Sequence, residues 1–424
     1  MTPDLALLPL LVLPAVVAGL VYFLRAWERA PQLIAGLAAV AIAYITHAIA
    51  PGLSDDLMGR PLLLDLAAKQ VFLVTLAAVA LSNLALAIHP INDSYPSVSL
   101  VSASLVGIAV TLDNLTLAAL FILVAGVLAV IAWNAAAGRA RGHLQYLVAI
   151  TTGTLVLAYS ASVMDIAPEQ PSRIGLIGFE LGTGLLLSLI PFGLWESTLG
   201  RDSEPLTIAL VSLILKPATL VLIWRFTTRY NWLIAAGALP DILKAVTLIT
   251  VVYCALRAAI TPSIRVYAAV ASQGQFALVL LTIIPALGSS GLLPITMQWL
   301  IARVPSVIFL AAAATALPIR STPAMRILFL FAVVALLGLP GTPLFPIHLS
   351  SLLMLSQPHD LTVPLAALSA GLAIGALRMI ARQHILAPET SGTSYRQAMI
   401  ATIVLAVVTL SLGLQPARLL AYLS

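Results

Sequence analysis

Lys216 stands about eleven residues into an apolar stretch, after Val211-Ser212-Leu213-Ile214-Leu215 and directly before Pro217. An ammonium at membrane depth is costly unless it meets polar groups, so it reads as a functional group by default. A buried lysine can cycle between charged and neutral forms, which is what a proton carrier must do. Pro217 has no N–H to donate and frees the carbonyl of Leu213 beside the amine. The structural alternative is a lysine that reaches an interface or pairs with a buried acid. His348 follows Gly338, Pro340, Gly341, Pro343 and Pro346. Its imidazole is a candidate to pass protons to the outer surface, the alternative being a hydrogen bond to backbone freed by the prolines. Arg303 and Lys244, each in an apolar stretch, are candidates for the same hydrated path. Glu180 is either a further proton group or the partner of Arg173. Asp65 with Lys69 and Asp241 with Lys244 are spaced for intrahelical ion pairs, and Asp113 reads as a surface carboxylate.

The elements that must carry these residues are membrane helices. Of 424 residues, 61% are hydrophobic and 9% charged, far from the balance of a soluble domain. Apolar runs of about 20 residues each cross some 30 Å of hydrocarbon as helices. They are too long for barrel strands, and only helices or closed barrels satisfy their backbone inside lipid. The reading is an all-α polytopic membrane protein with about fourteen spans. They run 5–24, 31–50, 62–88, 97–112, 114–135, 143–163, 173–199, 205–226, 232–256, 264–286, 290–317, 323–350, 360–382 and 397–417. With both termini outside, most arginines, Arg139, Arg141, Arg201, Arg257, Arg265, Arg320, Arg378 and Arg396 among them, fall at cytoplasmic ends. Arg60, Arg173, Arg225, Arg229 and Arg418 fall outside, as the positive-inside rule requires of a minority. The loops explain the net charge of +5 without nucleic acid. No polar linker divides the chain, so 1–424 reads as one membrane domain.

Two spans should be broken. The seventh is interrupted at Pro191 and the twelfth at Pro340 and Pro343. Their odd offset of five spans predicts two five-helix repeats, 97–226 and 232–382, in opposite orientations, an arrangement that marks ion pathways.

The chain resembles a known family, the antiporter-like subunits of respiratory complex I, of membrane-bound hydrogenases and of Mrp-type cation/proton antiporters. That family carries a seventh-helix motif close to K-x-x-x-x-P-F-H-x-W, and here Leu186 is followed by Pro191-Phe192-Gly193-Leu194-Trp195. An intramembrane lysine follows the family's tryptophan at the distance of Lys216. A fifth-helix pattern is similar to Asn114-Leu115-Thr116-Leu117 onward, a tenth-helix pattern to Val266-Tyr267-Ala268-Ala269-Val270 with Gly274, and a twelfth-helix pattern to Gly338-Leu339-Pro340-Gly341-Thr342 with Phe345 and His348.

The resemblance implies a mid-membrane chain of polar groups along which protons move through Lys216 and His348. It also implies losses. Asn114 replaces a glutamate, Leu186 a lysine and Gly193 a histidine, so the acid–lysine pair of the family reads as missing. The expected function is a proton-translocating subunit of a complex I-like or hydrogenase-like redox complex, without a catalytic centre of its own. The alternatives are a conduction-impaired scaffold subunit and the membrane subunit of a proton-driven inorganic-carbon or cation transporter. The expected partners are other membrane and peripheral subunits, the lipid bilayer of a bacterial cytoplasmic membrane, and H⁺ or Na⁺. Neither a phosphate loop nor a dinucleotide fingerprint is present. One cysteine, Cys254, holds no iron–sulfur cluster, and the histidines lack metal-ligand spacing. No cofactor is expected.

Overall fold

A computed structural model describes residues 7–27, 29–57, 59–88, 94–130, 140–235, 238–287, 293–354, 359–386 and 392–415. Arg139 and Arg418 lie outside them. Every expected span has a helix in its place, and the described residues add one hairpin that the sequence reading missed. The elements are α1 (Leu7–Phe23), α2 (Ala30–Ala48), β1 (Leu53–Leu57), β2 (Arg60–Leu64), α3 (Leu66–Ile88), α4 (Tyr95–Thr111), α5 (Leu115–Ala129) and α6 (Arg141–Ile166). They continue as α7 (Arg173–Leu186), α8 (Leu194–Asp202), α9 (Pro205–Arg229), α10 (Trp232–Ala235), α11 (Ala238–Ile260), α12 (Ile264–Ile283) and α13 (Leu293–Ala316). The last four are α14 (Pro323–Leu337), α15 (Phe345–Met354), α16 (His359–Leu386) and α17 (Gly392–Leu414). Ten of these helices are long and apolar enough to cross a membrane.

Apolarity on every side sorts the helices by depth, because a helix hydrophobic all round is stable only when surrounded. The α9 helix is buried along its apolar length, and α12 and α13 nearly so. They form the centre. The outer helices α1, α2, α11, α16 and α17 turn Leu20, Leu37, Leu256, Leu377 and Val407 outward, as lipid contact demands. Close backbone approach joins α6 to α7, where Gly182 lies against the carbonyl of Gly153, a small-residue packing common between membrane helices.

Ion pairs join ends that the sequence topology assigns to one face. Arg225 meets Asp65 at 3.0 Å and Arg229 meets Asp165 at 2.9 Å, while at the opposite face Arg265 meets Glu204 at 2.7 Å. Asp113 is 72% exposed, the surface carboxylate expected. The Asp65–Lys69 pair does not form. Asp65 accepts the Ala68 N–H at 2.7 Å and takes Arg225 as its ion partner. Lys69 instead donates to the carbonyls of His47 and Ile49. The cause is the hairpin, which occupies residues 62–64 of the expected third span and turns Asp65 into the cap of α3.

The hairpin is antiparallel, with Leu53 opposite Leu64 and Leu57 opposite Arg60. Gly59, at φ +74°, makes the turn because an L side chain is strained there. Asp55 ties the hairpin to α1. Its carboxylate accepts the otherwise unpaired Leu8 N–H at 3.0 Å and the Asp56 N–H at 2.8 Å. These bonds hold its pKa below the ordinary 3.8, since they favour the charged form. A depressed carboxylate stabilises above its unfolded pKa and loses that contribution as pH falls through the folded one. Hydrogen-exchange protection of the Leu8 amide, corrected for intrinsic rate, should therefore fall as pH drops below 3.8. Asp55→Asn should remove that dependence, and an unchanged profile in the variant would refute the tie.

Candidate functional site

The seventh span breaks where Pro191 required. After Leu186 the chain leaves the helix, Ser188 takes a left-handed φ of 59°, and α8 begins at Leu194. A broken helix leaves carbonyls without donors, and α12 supplies them. Gln273 Nε2 donates to the carbonyls of Ser188 at 2.7 Å and Gly193 at 3.3 Å. On the other side, Thr250 Oγ1 of α11 accepts the Ile190 N–H at 3.0 Å. Gly193 stands where the family motif has histidine, and a Cβ there would overlap the carbonyl oxygen of Ser188.

The redirected α8 brings Glu196 to Lys216. Nζ lies 2.7 Å and 3.0 Å from the two carboxylate oxygens, and both side chains are 2% exposed. Asn114 and Leu186 still lack the family's acid and lysine, but Lys216 has found a different acid that the sequence reading did not name. The acid sits on α8, the far part of the broken seventh span, and not on α5. A usable signal was there. Trp195 and Leu199, one turn apart, mark a short buried face, and Glu196 is its neighbour. Trp195 packs edge-on against Tyr146 of α6 at 5.2 Å, and Tyr146 Oη donates to the Gly126 carbonyl. Beside the lysine, Leu186, Trp195, Tyr146 and Leu215 enclose a cavity of about 10 Å³.

Past Lys216 the polar groups continue through α12 and α13. The Lys216 ammonium lies 5.1 Å from the centroid of the Phe276 ring, and the Arg303 guanidinium lies at the same distance from that ring. Both cations gain from the ring's negative face. Arg303 is fully buried. Its Nη2 donates to Ser212 Oγ at 2.7 Å and to the carbonyl and hydroxyl oxygens of Ser272 at 2.9 Å. Nη1 donates to the Ser212 carbonyl at 3.3 Å and Nε to Gln275 Oε1. Ser212 is one turn before Lys216 on α9, so the two cations are joined along one helix face.

Trp299, one turn before Arg303 on α13, carries the line to His348, their rings 4.4 Å apart. The indole N–H donates to Ser351 at 2.8 Å. His348 is 5% exposed, and its Nε2 has no hydrogen-bond partner among the described residues. The break in the twelfth span makes room for it. Gly338 ends α14 at φ +67°, and the imidazole lies where a Cβ would project. The Pro340 and Pro343 turn then leads into α15.

The structure thus gathers Lys216, Arg303 and His348, and adds Glu196, Ser212, Ser272, Gln273 and Gln275. Three other candidates stand apart. Asn114 is the N-cap of α5, its side chain accepting from the Leu117 N–H at 2.9 Å, at the end of the bundle where Arg225 meets the Leu112 carbonyl. Nine residues of helix, about 13 Å, separate Arg225 from Lys216. Glu180 is half-buried on α7, and no ion pair joins it to Arg173 among the described residues. Lys244 is half-buried on α11 and Asp241 is exposed.

Removing one partner of a buried pair strands the other charge and costs about 3–5 kcal/mol. Glu196→Leu and Lys216→Met should each lower thermal stability in detergent by that order, and the double variant by far less than their sum. Additive losses would mean that the two charges are not coupled.

No protein-family model and no curated protein sequence matches the chain. Solved structures do. A chain of respiratory complex I from Thermus thermophilus with bound aureothin superposes with a TM-score of 0.76 at 18% identity, covering 99% of both chains. A chain of the Mrp complex from Dietzia sp. DQ12-45-1b gives 0.75 at 16%, over 100% of this chain and 96% of that one. A chain of the membrane-bound sulfane sulfur reductase, an archaeal respiratory membrane complex, gives 0.76 at 16%, over 98% and 95%. The first two are complexes that the motif resemblance leads one to expect, and the chain has the fold of all three matching chains along nearly its whole length.

Proposed function

We propose that this chain is a proton-translocating membrane subunit of a larger complex, moving H⁺ along the buried line from Glu196 and Lys216 to His348. The observation that carries the reading is the Glu196–Lys216 pair, sealed from solvent and held by a broken helix at the centre of the molecule. Such a pair has an ionic form and a neutral form, and passing one proton between its members switches between them. When Glu196 takes up a proton from one side, Lys216 loses its counter-charge and its own proton is released toward the second half. His348 receives or delivers on the far side, its free Nε2 being the atom able to do so. Lys244 on α11 and Glu180 on α7 are secondary candidates that would feed this line from the flank.

The fold supports membership of a complex, since each matched structure is a multisubunit membrane assembly. The two broken spans, five apart, support a pair of inverted repeats over 97–226 and 232–382. The clustering of ion pairs by face supports the grouping of helix ends read from the sequence, and the arginine balance by itself would put both termini outside a bacterial cytoplasmic membrane. The substituted family positions Asn114 and Leu186 favour one second reading, a scaffold subunit that seals and positions its neighbours without conducting.

Proton flux decides between them. In vesicles carrying the assembled complex, Lys216→Ala and Glu196→Gln should each slow proton movement at least about tenfold, the usual loss for a missing proton-transfer group, while assembly on a native gel is retained. Flux unchanged in both variants would leave the scaffold reading standing.

A further inference from the structure

Arg303 differs from the other buried cation, Lys216, in what holds it. Lys216 has a carboxylate, whereas every oxygen bonded to Arg303 is neutral. There are five: the carbonyl and hydroxyl oxygens of Ser212, the same two of Ser272, and Gln275 Oε1. Three of them, the Ser212 hydroxyl and both Ser272 oxygens, surround Nη2 from α9 and α12, and the Ser212 carbonyl and Gln275 Oε1 lie on the adjacent Nη1 and Nε. Carbonyl and hydroxyl oxygens arranged in this way replace the hydration shell of a dehydrated monovalent ion. A divalent ion would demand carboxylates as well, and the nearby Glu196 is already committed to Lys216. The cage is therefore chemically an alkali-cation site, and a guanidinium fills it.

We propose that Arg303 is a tethered cation that occupies a latent Na⁺ site and so restricts the polar line to protons. Arginine keeps its charge at any physiological pH, so the cage is never vacated. A metal ion arriving from either half meets a fixed positive charge and no free oxygen. Protons need no such site, since they pass between titratable groups and along hydroxyls, of which Ser212 and Ser272 lie 3.2 Å apart. This selectivity rests on the translocation reading, whereas the cage itself does not.

Thermal melts of the purified protein test the cage without any assay of transport. Melting is compared in NaCl and in choline chloride at equal ionic strength for the wild type, Arg303→Ala, Arg303→Met and Arg303→Lys. The wild type and the lysine variant should melt alike in both salts, because each carries its own cation. Arg303→Ala should melt roughly 2 °C or more higher in sodium, and adding Ser272→Ala should abolish that gain. Arg303→Met keeps the bulk of the side chain, so it reports if the smaller residue leaves a void too large to fold around. Sodium that neither stabilises nor rescues either uncharged variant overturns the proposal, as does a sodium-specific gain in the wild type. A wild type that moves no protons in vesicles would defeat the translocation reading and leave the melting result intact.

Discussion

Inside a bilayer no water is available to solvate a charge, and each buried ionic group must find its solvation in the protein. This chain buries two cations, on α9 and α13, and one carboxylate, on α8, and solves the problem in two ways. Lys216 is neutralised by Glu196 at 2.7 Å. Arg303 is solvated by five neutral oxygens and receives no carboxylate. Phe276 lies beside both cations, and its ring attracts each at 5.1 Å. The first arrangement is switchable by a proton and the second is not, so the same helix bundle holds a variable charge and a fixed one side by side.

The breaks in the seventh and twelfth spans follow from that requirement. A straight helix continuing past Leu186 would carry Glu196 ten residues onward, about 15 Å along its axis, whereas the break redirects α8 so that the acid meets the lysine of α9. Breaking a helix costs backbone hydrogen bonds in a medium that cannot replace them. Gln273 and Thr250 therefore repair the loop from α12 and α11. Break and repair are mutually dependent: without Gln273 the Ser188 carbonyl would be stranded, and without the break Gln273 would be a buried amide with little to bond. In the second break Gly338 plays the corresponding part for His348, since only the absence of a Cβ admits the imidazole.

At the two faces the logic changes. Arg225, Arg229 and Arg265 pair with Asp65, Asp165 and Glu204 where the membrane gives way to water. Screened pairs of this kind add little stability, but they fix which helix ends lie together. Around the first two arginines, Asp65, Asp113 and Trp224 line an open cavity of about 470 Å³. The polar line lies buried between these faces, and the hairpin β1–β2 is tied to α1 through Asp55.

Much of this was legible in the chain. Composition and apolar run length determine a helical membrane protein, because lipid leaves the backbone no other choice. Pro191, and Pro340 with Pro343, determine where two helices break, because proline removes a donor wherever it stands. Lys216, Arg303 and His348 are conspicuous because a charge or imidazole in an apolar run must be compensated. Compensation is a long-range matter, and there the sequence is silent. Glu196 is twenty positions from Lys216, and Ser212 and Gln275 are ninety-one and twenty-eight from Arg303. Short-range spacing also misled: Asp65 and Lys69 fit an i,i+4 pair, yet each found a better partner across the fold. Local physics, carried by a residue and its near neighbours, determined the spans, the breaks and the presence of buried charge. Only the tertiary packing decided which oxygen meets which cation, because that depends on how separate helices are brought side by side.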